Sequence, residues 1–171
     1  MNVFQKLARR IIESAFELSV AAIGFFNDMS RFRRKVDTLR RCAAGSLGKE
    51  IADILDREGL TLVPGYESHD LKHSLLGFDM TAEGEVRMQA FMIGNGNYSV
   101  PSFAIFMFGA VLLPDLWPTF WADFQNGRHA GPISTWTIDR YASMSLTSLR
   151  AVALSQAEMA ASQHAVAAVT V

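Results

Sequence analysis

Apolar residues return every three or four positions along most of this chain, the period of an α-helix packed on one side. Phe4, Leu7, Ile11, Ala15, Leu18, Ala22 and Phe26 form the first stripe, with Lys6, Arg9, Arg10, Glu13 and Glu17 on its wetter side. Phe32, Val36 and Leu39 keep the same spacing inside the basic stretch RFRRKVDTLRR at 31–41. A small-residue loop at 44–48 follows, where Ser46 is placed to cap a short helix through Ile51, Ile54 and Leu55 that ends near Gly59. Pro64 disfavours helix before it, so 60–65 is expected to be extended.

Glu67 opens the next helix, which Gly77 breaks, and Asp79 or Thr81 caps another that runs to the turn GNGN at 94–97. Ser99 and Pro101 open a helix that is apolar all round, through Phe103, Ile105, Phe106, Met107, Phe108, Val111 and Leu112. Such a helix is buried or lies against lipid. A further helix restarts at 115–118 and is expected to end at Asn126–Gly127. Trp136, Ile138 and Tyr141 mark a short segment, and Ser145 caps a last helix with Leu146, Leu149 and Val152. No alternating strand pattern appears. The expectation is an all-α fold, one compact domain of about seven to nine helices over 1–154. An Ala-rich tail at 155–171 is expected to be a frayed helix or disordered.

Composition narrows the function. The net charge of −1 and pI near 6.4 leave no basic field to recruit nucleic acid. Cys42 is the single cysteine and has no partner for an internal disulfide, which fits a reducing compartment. Glu13 and Glu17 interrupt any signal-peptide core, and the greasy run from Val100 to Leu113 is too short to span a bilayer. A mean hydropathy of +0.15 is nonetheless high for a water-soluble chain.

Chemistry concentrates at Glu67–Asn97. On a helix, His73 lies about 40° from His69, and Asp70 about 100° from it, so all three side chains share one arc. Glu85 can return from the following helix as a fourth ligand. Two imidazoles and two carboxylates suit a divalent metal ion: zinc first, with iron, manganese or cobalt as alternatives. Lys72 and Arg87 add positive charge nearby, Lys72 as a solvated side chain. Met88 and Met92 share a face with Glu85 and could shape an adaptable pocket or simply pack the core. Arg128 stands where it could meet an anionic group or cap the preceding helix. A zinc peptidase would need Glu where Asp70 stands. A His-Asp phosphohydrolase needs a histidine upstream, and none precedes His69.

These residues resemble the ubiquinone (coenzyme Q) biosynthesis protein 4 family, whose signature is His-Asp-x-x-His, eleven residues, then Glu. It reads here as His69, Asp70, His73 and Glu85 without a gap. GSLGKE at 45–50, HSLLG at 73–77, GEV at 84–86, FQNGRHA at 124–130 and SLTSLR at 145–150 also resemble the family's segments, in order. The resemblance covers roughly residues 40–152. It departs at Asp139-Arg140-Tyr141, where many members carry a Trp-Glu pair, and in the tail after about 154.

The resemblance implies an all-α protein, peripheral on a membrane (cytoplasmic, on the inner membrane, in a bacterium), acting on polyprenylated hydroxybenzoate precursors of ubiquinone. The implied reaction is metal-dependent oxidative decarboxylation with hydroxylation at ring carbon one, through His69, Asp70, His73 and Glu85. The isoprenoid tail would then lie along Phe103–Leu112 and the N-terminal helix, and the expected substrate-binding residues are Arg128, Met88, Met92, Phe103, Phe106 and Met107. Expected partners are an anionic membrane surface, met by the basic segment, other quinone-biosynthesis proteins, and a second copy in a homodimer. The alternative function is a non-catalytic scaffold that binds prenyl lipids and organises those enzymes.

Overall fold

Short polar residues and glycines set the helix ends. Ser46 Oγ accepts from Lys49 N–H, and Thr81 Oγ1 accepts from Gly84 N–H, each satisfying a donor that the first turn leaves unpaired. Asp79 supports the second cap by accepting from the hydroxyl of Thr81 at 2.6 Å. Gly59 and Gly77 close their helices in the left-handed conformation, φ 68° and 76°, which costs glycine nothing.

The computed structural model describes residues 4–12, 14 and 28–154, and every regular element among them is helical. These are α1 (4–12), α2 (Ser30–Arg40), α3 (Leu47–Glu58), α4 (Glu67–Leu76), α5 (Ala82–Gly94), α6 (Val100–Leu112), α7 (Trp117–His129), α8 (Ile138–Tyr141) and α9 (146–154), with a 3-10 turn at Pro114–Leu116. The all-α single domain is as the periodicity required. α7 runs one turn beyond the expected stop at Asn126–Gly127, because Gly127 serves helix contact rather than termination. Ala15, Leu18, Ala22, Phe26 and the expected tail at 155–171 lie outside the described residues.

α5 is the axis of the fold. Met88, Phe91 and Met92 join a core built with Leu47, Ile51, Leu55, Leu71, Leu75, Ile133 and Leu149. Ala82, Val86 and Ala90, on its other side, join a smaller core with Ala8, Ile12, Leu113 and Phe120. A helix covered on both sides loses its amphipathic signature. α7 crosses α5 closely because Gly94 faces the Phe124 carbonyl and Gly127 faces the Phe91 carbonyl, where a Cβ on either glycine would overlap the oxygen. Asn95 adds polar links by donating to the Gly127 and Gly131 carbonyls and accepting from Ile133 N–H.

Two surfaces differ from the simplest expectation. In α1 the buried residues are Ala8 and Ile12, while Phe4, Leu7 and Ile11 of the expected stripe are exposed. In α6 only Ser102 and Gly109 are buried. Val100, Phe103, Met107, Phe108 and Val111 face outward, beside exposed Trp117 and Trp121 on α7. Among the described residues no single helix is long and apolar enough to cross a membrane, and the α6–α7 pair is bent by 101°.

Candidate metal centre

α4 and α5 share the main core, and one carboxylate adds a polar link between them. Glu85 lies in the first turn of α5, where the helix dipole favours negative charge. Its Oε2 is 3.0 Å from His69 Nε2 and its Oε1 is 3.0 Å from His73 Nε2. The imidazole ring centroids sit 4.6 Å apart in an edge-to-face contact, one helical turn from each other. His73 is sealed and Glu85 nearly so, with 0% and 8% of their side chains exposed, whereas 21% of His69 reaches solvent. The site therefore opens on the His69 side.

His69, His73 and Glu85 each offer one ligand atom, all within 4.8 Å of one another. The group could hold a metal. His73 Nδ1 lies 3.1 Å from the Phe78 carbonyl oxygen; a carbonyl only accepts, so Nδ1 donates there and Nε2 is turned to the shared site.

Asp70 takes a different place from the other three. At 100° from His69 its carboxylate does not join the converging atoms, and Oδ1 instead lies 3.6 Å from His69 Nδ1. It stands behind His69, where a carboxylate raises imidazole basicity. Burial works against charge on His69, but the Asp70 and Glu85 carboxylates outweigh it and hold the imidazolium up to about 9. Burial likewise penalises the Glu85 carboxylate, and the two imidazoles overcome this to bring it down to about 2.

The remaining candidates scatter. Met88 and Met92 are fully enclosed in the main core, so packing accounts for them. Phe106 packs edge-on against Phe120 and lines an apolar groove of about 350 Å³ with Ala90, Ile93, Ala110, Trp117, Trp121 and Phe124. Phe103 and Met107 are exposed on the outer face of α6. Arg128 is exposed near the C-terminal end of α5, nine residues and so about 13 Å along the axis from Glu85. Arg87 is committed to Asp123 through bonds of 2.8 and 3.2 Å.

Lys72 is less solvated than expected. It is 7% exposed, makes no hydrogen bond or ion pair with another described residue, and burial lowers its pKa. Arg150, which the spacing of chemical residues did not single out, donates from Nε to Leu75 O at 2.9 Å and from Nη2 to Ser74 O at 3.0 Å, at the end of α4. Its sequence signal was its place in SLTSLR.

No protein-family model matches this chain, and no curated protein matches it. A crystal structure of a Nostoc punctiforme protein, whose name provisionally assigns it to ubiquinone biosynthesis, superposes with a TM-score of 0.53 at 20% identity. The match covers 90% of this chain and 82% of that one. The likeness is one of fold. It extends well beyond α4 and α5 to nearly the whole helical arrangement.

Proposed function

We propose that this protein acts in ubiquinone biosynthesis, as a metal-dependent enzyme that replaces the ring carboxyl of a polyprenylated hydroxybenzoate with a hydroxyl group. The observation that carries the reading is the convergence of His69, His73 and Glu85 at 3.0 Å contacts, joined to the likeness of the fold to the Nostoc protein. Two imidazoles and one carboxylate with open positions is a donor set that non-haem iron uses with oxygen, and zinc also takes it. A bound ion would supply Lewis acidity toward a carboxylate or phenolate oxygen. The overall exchange consumes dioxygen and two reducing equivalents and releases carbon dioxide and water.

The chain's own residues fix the geometry. His73 is locked by Phe78, Asp70 stands behind His69, and the solvent-facing edge of His69 is the side from which a ring could enter. The tail has two apolar supports: the groove around Phe106 and Trp121, and the outer face of α6. That outer face, with exposed Trp117 and Trp121, suits the bilayer interface. Other biosynthetic proteins, or a second copy of the chain, are further candidate partners for it.

A second reading has its own support. The ligands are deep and join two helices, as in structural metal sites, and the large apolar surface could present a prenyl lipid to other enzymes. Purified protein, His73→Ala and Glu85→Ala should be assayed for metal content and for turnover of a prenylated 4-hydroxybenzoate with dioxygen and a reductant. Wild-type turnover, lost with the metal in both variants, supports the enzyme. Metal without turnover, with lipid binding intact, supports the scaffold.

A further inference from the structure

Two segments far apart in sequence meet behind α4. Ser46 and Ser145 form an isolated antiparallel bridge. Around it Leu47 N–H donates to Met144 O, Gly48 N–H to Ala142 O, and Leu146 N–H to Gly45 O. This anchors the start of α9 to the start of α3 and sets the direction in which α9 leaves. One turn later Arg150 points across to α4.

The last carbonyls of a helix have no partner within it. Here Ser74 O and Leu75 O are taken by the Arg150 guanidinium, a planar fork with two donors at 3.0 and 2.9 Å. His73 O is taken by Gly77 N–H at 2.9 Å. Gly77 then turns the chain so that Phe78 O reaches back to His73 Nδ1. One short stretch, 73–78, thus carries the histidine, the carbonyls that Arg150 clamps and the group that orients the histidine. Nothing else among the described residues bonds the Ser74 and Leu75 carbonyls from outside the helix.

From this we infer that Arg150 is a positioning residue for the metal centre: by clamping the end of α4 it fixes the Phe78 carbonyl against His73 and so sets the ring's ligand face. This rests on the metal-site reading for its functional consequence, but not for its geometry. It gives the SLTSLR segment a role. The Ser145 end docks on Ser46, and the Arg150 end governs a histidine 77 positions earlier.

The test compares wild type with Arg150→Met and Arg150→Lys, and with Arg40→Met as a control. Arg40 forms an equally multidentate clamp, on Asp56 between α2 and α3, away from the site. Zinc and iron(II) affinities are measured at a temperature where every variant is fully folded by circular dichroism. Losing the direct partner of a ligating histidine typically costs 10–100-fold in metal affinity, and Arg150 acts on that partner, the Phe78 carbonyl, at one remove, so the low end of that range applies. Arg150→Met should weaken binding by about tenfold or more, Arg150→Lys should recover part of it, and Arg40→Met should change it less than twofold.

The second readout is the NMR signal of the His73 Nδ1-bound proton, recorded with and without zinc. It should be slow to exchange in wild type and Arg40→Met, and broadened or lost in Arg150→Met. An unchanged Nδ1 signal in folded Arg150→Met overturns the inference, as does affinity within twofold of wild type. If Arg150→Met does not fold, Arg150→Lys decides by the same criteria. If wild type binds no metal, the metal reading fails while the Nδ1 proton in metal-free protein still judges Arg150.

Discussion

Metal binding should be strongly pH-dependent, because a proton occupies the site in competition with the ion. Only unprotonated imidazole offers its lone pair to a metal, so His69, held at about 9, must release its proton first. Each pH unit below that value costs a factor of ten, or about 1.36 kcal/mol. At pH 7 the penalty is on the order of 3 kcal/mol, roughly a hundredfold in Kd. Titration calorimetry from pH 6 to 10 should show Kd tightening about tenfold per unit and levelling near 9, with about one proton released to buffer per metal bound.

The sign can be checked independently. The folded pKa of His69 lies above its ordinary 6.5, so its contribution to stability is full below 6.5 and is lost as pH rises toward 9. The Tm of metal-free protein should therefore fall between pH 6.5 and 9 while that of metal-loaded protein rises. Asp70→Asn removes one of the two carboxylates that hold the proton, and should move the break in Kd to lower pH. A break at or below 6.5 in wild type would refute the argument, since the imidazolium would then gain nothing from Asp70 and Glu85.

Gly127→Ala should push α7 off α5, since the new Cβ meets the Phe91 carbonyl; overpacking of this kind costs about 1–3 kcal/mol, readable as a lower urea midpoint at unchanged slope. Vesicle flotation should separate two routes to membranes. Phe103→Asp with Val111→Asp should cut binding about tenfold or more at any salt concentration, because both side chains lie on the exposed face of α6. Arg31, Arg33 and Arg34 replaced by Gln should remove only the salt-sensitive part. Binding that survives the Asp pair and vanishes at high salt would assign docking to α2 instead.

The helices were legible because most bury a single stripe, and their ends because Ser46, Gly59, Gly77 and Thr81 each satisfy a backbone need that only short polar residues or glycine meet well. Orientation was less legible. The α1 stripe Phe4, Leu7, Ile11 is regular yet faces outward, because periodicity reports that a face exists and not what covers it. α6, apolar all round, left burial and exposure equally open. At the site, helical geometry placed His69 and His73 side by side, as the structure has them, while the quarter-turn arc was too coarse to show which neighbouring carboxylate converges with them. At 100° Asp70 reaches the back of His69 rather than the shared centre. Lys72 looked solvated because lysine usually is, and burial there depends on elements remote in sequence. Arg150 has no periodic signature at all. Its role exists only once the Ser46–Ser145 bridge has brought α9 across.

The position of Glu85 links these levels. It is a carboxylate on a helix with apolar cores on both sides, an expensive place for charge unless paired. Two imidazoles from α4 meet that requirement, and a divalent ion could take the same role with stronger interactions. Removing both His69 and His73 would leave Glu85 charged and buried, and should destabilise the fold more than the loss of either contact alone suggests. The site therefore contributes to joining α4 to α5 whichever cation fills it. On this argument a deficit in metal affinity and a deficit in stability have the same origin, and only measurements made on fully folded variants can separate them.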